Sequence, residues 1–339
     1  MELGVFSLSD IFAGSDDTAE SRTADITAYG IAAERAGLDV FGLGEHHSRH
    51  FAVSSPAVNL AAIAQATSRI LLTSTATVLS TLDPVRVYQD FSSLDLISHG
   101  RAEIYAGRSA FVEPFALFGH DVHDLDSLFS EKLDLLLRLR DEDAVTWAGA
   151  HRPPLRAAAV NPPMRPDLPI WAAVGGTPAS AQRAGALGLP MALGFIGGTL
   201  DHAKRLISLY RAAGRAAGHP EDQLRVGITS HFYVGESHDA AIEEFFPYYQ
   251  RYLSPDTNDG RGWHVDLAGT RALAERRGAL MVGGPREIAT KILDLKAELG
   301  VDRFLGQVDL GGLPRAMVND SIRRFGEIVA PAVRKALDS

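Results

Sequence analysis

The stretch DVFGLGEHH, residues 39–47, runs from a short apolar segment straight into a carboxylate and two imidazoles. Its first part, residues 39–44, has the length and apolar character of a buried β-strand. Imidazole is the side chain best suited to move protons at neutral pH, so histidines at the end of a strand are candidates for catalysis. The alternative is that a histidine here only ends the strand. We predict a strand followed by the candidate catalytic residues His46 and His47, with Glu45 beside them.

Similar short apolar, β-branched runs recur along the chain and alternate with segments of helical period. This alternation is typical of βα units around a parallel sheet. Eight strands are predicted, at residues 3–8, 39–44, 70–78, 102–106, 168–174, 191–196, 225–234 and 303–308. Eight such units in 339 residues predict an α/β fold, a (β/α)8 TIM barrel with insertions. With no linker or low-complexity segment in sight, we treat residues 1–339 as a single domain.

Two stretches interrupt the alternation and predict insertions near residues 144–166 and 254–280. The first carries several prolines at residues 146–163 and predicts a hairpin or an ordered loop before the fifth strand. The second opens with residues 254–269, whose composition is typical of a long loop. Such a loop late in a barrel serves either as a substrate lid or as a solvated connector.

The composition excludes several classes of function. The chain has no cysteine, which excludes disulfides, thiolate metal sites and cysteine nucleophiles, and favours a cytoplasmic protein. The start of the chain has no signal-peptide pattern, and no apolar run is long enough to span a membrane. A net charge of −9 without a basic cluster argues against binding of nucleic acid.

Polar residues after the predicted fourth and fifth strands form a candidate phosphate site. Gly175 and Gly176 let a ligand approach the backbone, Thr177 is a suitable N-cap, and Pro178 suits the first position of a helix. The free amides of that helix would bind an anion, and Arg108, one strand away, offers a bidentate partner. A plain strand–turn–helix with a surface arginine is the alternative. The stretch matches neither G-x-G-x-x-G nor a phosphate loop, so a monophosphate fits better than a nucleoside triphosphate.

No other chemistry is indicated as strongly. Successive strand residues point to opposite faces, so His46 and His47 would not share one metal ion, and we expect no metal site. Neither paired carboxylates for glycoside hydrolysis nor a G-x-S-x-G elbow is evident.

A series of short motifs runs along the chain in a specific order and spacing, although no single one is decisive. They are Gly44-Glu45-His46-His47, residues 73–79, Asp83-Pro84-Val85-Arg86, Leu94-Asp95, Gly100-Arg101, Ala106-Gly107-Arg108, Phe118-Gly119, Pro169-Ile170-Trp171, Gly175-Gly176-Thr177 and Gly283-Gly284-Pro285. Through these motifs, most of the chain resembles the bacterial luciferase-like flavin monooxygenases.

The resemblance also implies site residues. His46 matches the catalytic histidine, Arg108 matches the arginine that binds the flavin phosphate, and Thr75-Ala76 matches a non-prolyl cis peptide beside the flavin ring. Gly107 stands where the light-emitting subunit has its reactive cysteine, so light emission is not implied. The full set of cofactor-binding candidates is Thr75, Ala76, Gly107, Arg108, Ser109, Gly175, Gly176 and Thr177.

The family implies a barrel that binds reduced FMN, which reacts with O2 to give a flavin hydroperoxide that oxidises an organic substrate. No nicotinamide fingerprint is visible, which favours a separate reductase as the source of reduced flavin. The family also implies a homodimer formed through early helices that include residues 83–98. The Gly-Gly-Thr sequence of the phosphate loop is closer to the oxidoreductase branches, some of which use a deazaflavin coenzyme. A deazaflavin-dependent dehydrogenase or reductase and a non-catalytic flavin-binding protein therefore stay open, as does the substrate, which could be an aldehyde, an alkane, an aromatic compound or a polyketide.

Overall fold

The computed structural model describes residues 1–12, 17–254 and 262–338. Short β-strands alternate with helices along these residues, as the sequence predicts. The strands are β1 (Glu2–Ser7), β2 (Val40–Leu43), β3 (Leu71–Ser74), β4 (Thr77–Val78), β5 (Ala102–Gly107), β6 (Val145–Trp147), β7 (Leu155–Ala158), β8 (Ile170–Val174), β9 (Met191–Gly194), β10 (Val226–Val234), β11 (Met281–Gly283) and β12 (Arg303–Gln307). The α-helices are α1 (Ala19–Arg35), α2 (Pro56–Ala66), α3 (Pro84–Ser98), α4 (Glu113–Leu117), α5 (Leu125–Asp141), α6 (Pro178–Ala186), α7 (Leu200–Ala216), α8 (His238–Leu253), α9 (Leu267–Ala274), α10 (Pro285–Leu299), α11 (Arg315–Arg324) and α12 (Ala330–Leu337).

Eight of these strands close into a parallel barrel. Its order is β1, β2, β3, β5, β8, β9, β10 and β12, and β12 pairs back with β1. The register sets Ser7 opposite Leu43, and Leu43 opposite Ser74, so that the carboxyl ends of neighbouring strands meet at one rim. The predicted (β/α)8 barrel is confirmed, and its carboxyl-end rim is where barrel enzymes place their chemistry.

The opposite end of the barrel is filled by an ion-pair network. The fully buried guanidinium of Arg303 binds both carboxylate oxygens of Glu103, and its Nε lies 2.7 Å from Glu2 Oε2. The same guanidinium lies 4.4 Å from the ring centre of Trp171. These contacts pair the charge and close the barrel interior at the amino ends of its strands.

One strand prediction is wrong in detail, and one strand was not predicted. Residues 70–78 form two strands rather than one, because the chain breaks between β3 and β4 at a cis peptide bond joining Thr75 and Ala76. The sequence analysis also missed β11, which pairs with the carboxyl half of the nine-residue β10, with Met281 opposite Phe232. A three-residue strand is too short to show a period in the sequence.

The insertions have defined structure where they are described. Strands β6 and β7 pair antiparallel before β8, so the stretch predicted to be a hairpin or an ordered loop forms a hairpin. In the second insertion, residues 255–261 of the predicted loop at 254–269 lie outside the described residues. The loop prediction also extends too far, because α9 begins at Leu267, where the side chain of Asp266 caps the helix by accepting from the Gly269 amide at 2.7 Å. Across the described ranges, no helix is both long and apolar enough to cross a bilayer.

Candidate functional site

Small residues of β5, of β8 and of the link between β3 and β4 come together at the carboxyl rim. A Cβ built on Gly107, the last residue of β5, would lie 3.0 Å from the Cβ of Ala76 and 3.7 Å from the Cβ of Ala173 on β8. Such a contact is tighter than most real packing, so a side chain at position 107 would have to push Ala76 aside. The rim is therefore flat where Ala76, Gly107 and Ala173 meet.

Thr75 and Ala76 occupy this flat part of the rim and are both half-buried. The Thr75 hydroxyl oxygen is buried and has no hydrogen-bond partner in the structure. Buried polar atoms are nearly always paired, so this hydroxyl points to a ligand or a water that completes the site. The cis bond between Thr75 and Ala76 is the one that the resemblance implied.

His46 lies between two aromatic rings above the end of β2. Its ring stacks on Phe51 with centroids 4.0 Å apart and meets the edge of Phe111 at 5.0 Å. Burial, and secondarily the neighbouring His47, lower the pKa of His46 to about 3. The imidazole is therefore neutral at physiological pH, with one ring nitrogen donating and the other accepting.

His47 has different partners from His46. Its Nε2 donates to Glu45 Oε1 at 2.7 Å, and the second oxygen of that carboxylate accepts from the Val78 amide at 3.0 Å. Glu45 thus ties His47 to β4, the short strand that follows the cis peptide. These hydrogen bonds hold His47 against the rim, and its catalytic role stays a prediction.

Arg108 follows β5 and binds an acidic side chain from another element. Its guanidinium pairs with Asp126 in the first turn of α5, and Arg183 of α6 approaches the same carboxylate oxygen at 3.7 Å. Asp126 is largely exposed, and surface ion pairs of this kind contribute little free energy. An incoming phosphate can therefore replace Asp126 as the partner of Arg108.

Ser109, the next residue, is held in a local turn. Its hydroxyl donates to the Phe111 carbonyl at 2.8 Å and accepts from the Phe111 amide at 3.1 Å, and its φ is +107°. The turn directs the chain toward Phe111, which contacts His46. Ser109 shapes the loop, and its predicted contact with a cofactor stays a prediction.

The glycine loop after β8 has the geometry of an anion site. Thr177 caps α6 by accepting from the Ser180 amide, and Gly176 has φ of +115°, a conformation that favours glycine. A Cβ at Gly175 would meet no atom within 4 Å, so space lies open beside the backbone. His202 Nε2 donates to the Gly176 carbonyl at 3.1 Å and receives a hydrogen bond from Arg205 at its Nδ1.

Arg183 and His202 are residues that the sequence analysis missed. Both lie on helices, where a polar side chain gives no signal of its own among many others on solvated faces. Only the fold brings Arg183 to the partner of Arg108, and His202 to the carbonyl of Gly176.

These residues fit a flavin mononucleotide. The flat rim at Ala76 and Gly107 suits a planar ring, the unpartnered Thr75 hydroxyl suits a polar ring edge, and the open side of Gly175 suits a phosphate at the α6 amides. Among the residues that the structure describes, no group of three or more histidine, aspartate or glutamate side chains is arranged to hold a metal ion.

The sequence profile of the luciferase-like monooxygenases matches residues 1–303. Among curated proteins, an uncharacterized protein of Sinorhizobium fredii (strain NBRC 101917 / NGR234) is 25% identical over 319 residues, or 91% of this chain and 90% of that protein. The match to the profile covers most of the described barrel, including β12 only at its first residue.

Solved structures show the same fold. Monooxygenase RslO1 from Streptomyces bottropensis superposes with a TM-score of 0.85 at 24% identity, covering 98% of this chain and 99% of that one. The oxygenating constituent of 3,6-diketocamphane monooxygenase from Pseudomonas putida, solved with FMN, gives 0.79 at 19% identity with 98% of both chains covered. An F420-dependent secondary alcohol dehydrogenase, solved with an F420–acetone adduct, gives 0.75 at 21% identity, covering 98% and 99%. By its match over nine-tenths of its length, the chain belongs to the luciferase-like monooxygenase family of oxidoreductases.

Proposed function

We propose that this protein is the oxygenase component of a two-component, FMN-dependent monooxygenase. The observation that carries the proposal is the meeting of Ala76, Gly107 and Ala173 at a flat rim, with the open glycine loop on the strand that contributes Ala173. The FMN complex of the diketocamphane oxygenating constituent, which has the same fold, supports it. Reduced FMN, when bound, supplies the electrons that activate O2 to oxidise an organic substrate.

In this proposal, each group of residues has one task. Gly175, Gly176, Thr177 and Arg108 hold the phosphate through amides and a guanidinium. Thr75, Ala76 and Gly107 bear the ring, and Ser109 directs the loop beside it. A separate reductase delivers the reduced flavin, in line with the absence of a nicotinamide fingerprint.

His46 acts as the proton-handling group. Because its imidazole is neutral, one ring nitrogen carries a proton and the other is free to accept one. When it takes up a proton at the second nitrogen and releases the first to its hydrogen-bond partner in the same step, its net charge does not change. Phe51 and Phe111 exclude water from two sides of the ring, which keeps its hydrogen bonds for the ligand.

The test is cofactor choice followed by turnover. The purified protein is titrated anaerobically with reduced FMN, reduced riboflavin and reduced coenzyme F420, with binding followed by absorbance and fluorescence. We expect tight binding of reduced FMN and, on mixing with O2, oxygenation of one member of a panel of aldehydes, ketones, alkanes and aromatic compounds. Oxygen uptake with release of peroxide alone, for every compound tested, would favour a non-catalytic flavin-binding protein.

A deazaflavin-dependent dehydrogenase is the second candidate. The likeness to the F420-dependent alcohol dehydrogenase, with a TM-score of 0.75, favours it because the same barrel there holds a deazaflavin. Binding of F420 with hydride transfer to or from an alcohol or ketone, and no reaction with O2, would establish this function in place of the first.

We also propose a homodimer that uses the helix at residues 83–98. The end of α3 exposes Leu96 and Ile97, and the neighbouring α2 exposes Val58, so apolar surface lies on adjacent helices. Sedimentation equilibrium should give twice the chain mass for the wild type. The Leu96→Glu variant should shift toward the monomer, and a wild type that stays monomeric at high concentration contradicts the proposal.

A further inference from the structure

Two buried carboxyl groups lie together beside the rim, and the proposed function uses neither. Asp10 follows β1 and Asp309 follows β12, and their exposed fractions are 2% and 0%. Asp309 Oδ2 accepts from the Ser7 hydroxyl at 2.6 Å and from the guanidinium of Arg22. Asp10 Oδ2 accepts from the Gly311 amide at 3.1 Å. One oxygen of each carboxyl group is thus satisfied by donors.

The other oxygen of each group has no partner in the structure. Asp10 Oδ1 and Asp309 Oδ1 are both buried and both lack a donor. Two acceptors that lack a donor in one buried cluster are satisfied together if a single proton lies between them. One carboxyl group then donates to the other, as in carboxyl pairs that share a proton.

Charge balance in the cluster agrees with one retained proton. Among the described residues, Arg22 of α1 is the cation that pairs with Asp309, so one ionised carboxylate already balances its charge. Arg251 of α8 lies next to the pair and donates to the Gly311 carbonyl at 3.2 Å. Burial and the charge of Asp309 raise the pKa of Asp10 to about 8, and burial raises the pKa of Asp309. The further titratable groups around the cluster are Tyr29 and Asp25 on α1, Asp17 before α1, Tyr249 and Tyr252 on α8, and His231 on β10.

Asp10 is connected to His46 through the backbone. Asp10 forms an antiparallel bridge with Phe51, and the Ile11 amide donates to the His50 carbonyl at 2.6 Å. Phe51 is the residue whose ring stacks on His46. Movement of the loop after β1 therefore moves the ring that holds His46.

We propose that Asp10 and Asp309 share one proton and that Asp10 is thereby a positioning residue for His46. The shared proton holds the loop after β1 against the loop after β12. Because Asp10 in the loop after β1 pairs with Phe51, the position of Phe51 depends on this contact. When base removes the proton to solvent, two adjacent carboxylates repel each other, the loop after β1 shifts, and Phe51 moves on His46. The role assigned to His46 rests on the proposed function, whereas the carboxyl pair and its effect on Phe51 do not.

The test is a pH titration of the cofactor-free protein by NMR, with 13C at histidine Cε1 and the His46 signal assigned from a His46→Gln variant. His46 stays neutral across pH 6.5–9.5, so its signal reports ring-current changes from Phe51 rather than its own protonation. In the wild type we expect the signal to shift with an inflection near pH 8. Asp10→Asn mimics the protonated group, since its amide still accepts from Gly311 and donates to Asp309. We expect the inflection to vanish in this variant, with the signal at its low-pH wild-type position.

Controls make each result decisive. Asp201→Asn, at an exposed aspartate in the first turn of α7, should keep the wild-type inflection. If Asp10→Asn does not fold, NMR of the wild type labelled with 13Cγ-aspartate measures the protonation of the two carboxyl groups directly. One carboxyl signal should then titrate near pH 8. A wild type with no carboxyl titration above pH 6, or an Asp10→Asn protein that keeps the His46 inflection, overturns the proposal. Because no flavin is present, these outcomes are independent of whether the protein binds FMN.

Discussion

Phe51 stacks on His46 at a centroid distance of 4.0 Å and an interplanar angle of 18°. The stacked ring fixes the orientation of the imidazole, and the surrounding aromatic surface keeps it uncharged. A proton-handling group that is already oriented loses little entropy when it engages a substrate. In the function proposed above, a histidine with so low a pKa would act at the rim as a neutral hydrogen-bonding group.

Replacement of this imidazole tests that role. His46→Ala should slow substrate oxidation by about a hundredfold or more, because general acid–base groups contribute on that order. Binding of reduced FMN, measured by fluorescence, should change little. His123→Ala removes a histidine that is 89% exposed and should leave the rate unaltered. An unchanged rate in His46→Ala would show that the imidazole only packs.

Asp126 and Arg108 give a pair of opposite predictions. Arg108→Ala removes a charge-assisted partner of the phosphate and should weaken FMN binding by about 1.5–3 kcal/mol, roughly ten- to a hundredfold. Asp126→Asn releases Arg108 from its ion pair and should strengthen FMN binding by up to about 1 kcal/mol. Riboflavin has no phosphate, so its affinity should respond to neither change. Calorimetric titration with both flavins decides, and equal affinity of the wild type for FMN and riboflavin contradicts the phosphate site.

Two glycines at the rim should respond differently to added methyl groups. Gly175→Ala places a Cβ in open space, so the melting temperature should not change. The added methyl group should obstruct the phosphate, so the affinity for FMN should fall. Gly107→Ala forces a Cβ against Ala76 and should cost about 1–3 kcal/mol of folding free energy. Thermal unfolding and FMN titration of both variants separate the effects. A loss of stability in Gly175→Ala would place that side of the loop against protein rather than ligand.

Trp263, in the described part of the second insertion, lies over the loop that follows β9. A Cβ on Gly197 would come within 3.7 Å of its indole, and the side chain is 46% exposed. If this segment closes the rim during turnover, Trp263→Ala should raise the peroxide released per reduced FMN by at least about twofold, because water and O2 gain access. Leu337→Ala, at an exposed apolar residue of α12, is the matched control. An equal peroxide yield in the wild type and in Trp263→Ala would show that the segment around Trp263 is only a connector.

Acid should destabilise the protein through His231. This side chain is buried against Tyr249 and Tyr252, and burial lowers its pKa to about 3. In the unfolded chain its pKa returns to about 6.5, so unfolding takes up a proton below that pH. The stability contributed by the neutral histidine is complete above pH 6.5 and is lost as pH falls toward 3, at about 1.4 kcal/mol per pH unit. Urea unfolding at pH 7, 6, 5 and 4 gives the free energy of unfolding, which should fall less steeply with pH in His231→Gln than in the wild type. An equally steep fall in both proteins would contradict this role of His231.

The order of the barrel strands was predictable because each strand is a short β-branched run between helical segments, and both features are local. The cis bond between Thr75 and Ala76 was implied by the resemblance alone, and the break after Ser74 was not predicted, since nothing in residues 70–78 distinguishes two strands from one. Among the site residues, Arg108 stands out at the end of a strand. Its partner Asp126 does not, because it is one acid among several on the exposed side of a helix, and their contact depends on how α5 packs.

The carboxyl pair was equally invisible from sequence. Asp10 and Asp309 are separated by most of the chain, and neither follows a motif with a known chemistry. Their proximity follows only from the closure of β12 against β1, a long-range contact that no local period encodes.

Pairing of Glu2 with Arg303 joins residues 301 positions apart and has a consequence for biosynthesis. At about 5–20 residues per second, the ribosome needs on the order of 15–60 s after making the first strand before the one that completes the ring exists. Once β10 has been made, and until β12 follows, β1 and β10 are edges of an open sheet whose hydrogen-bonding groups accept any strand that reaches them. The nascent chain therefore has its greatest need of chaperones late in synthesis, and that need ends when residues 303–307 emerge and occupy both edges at once.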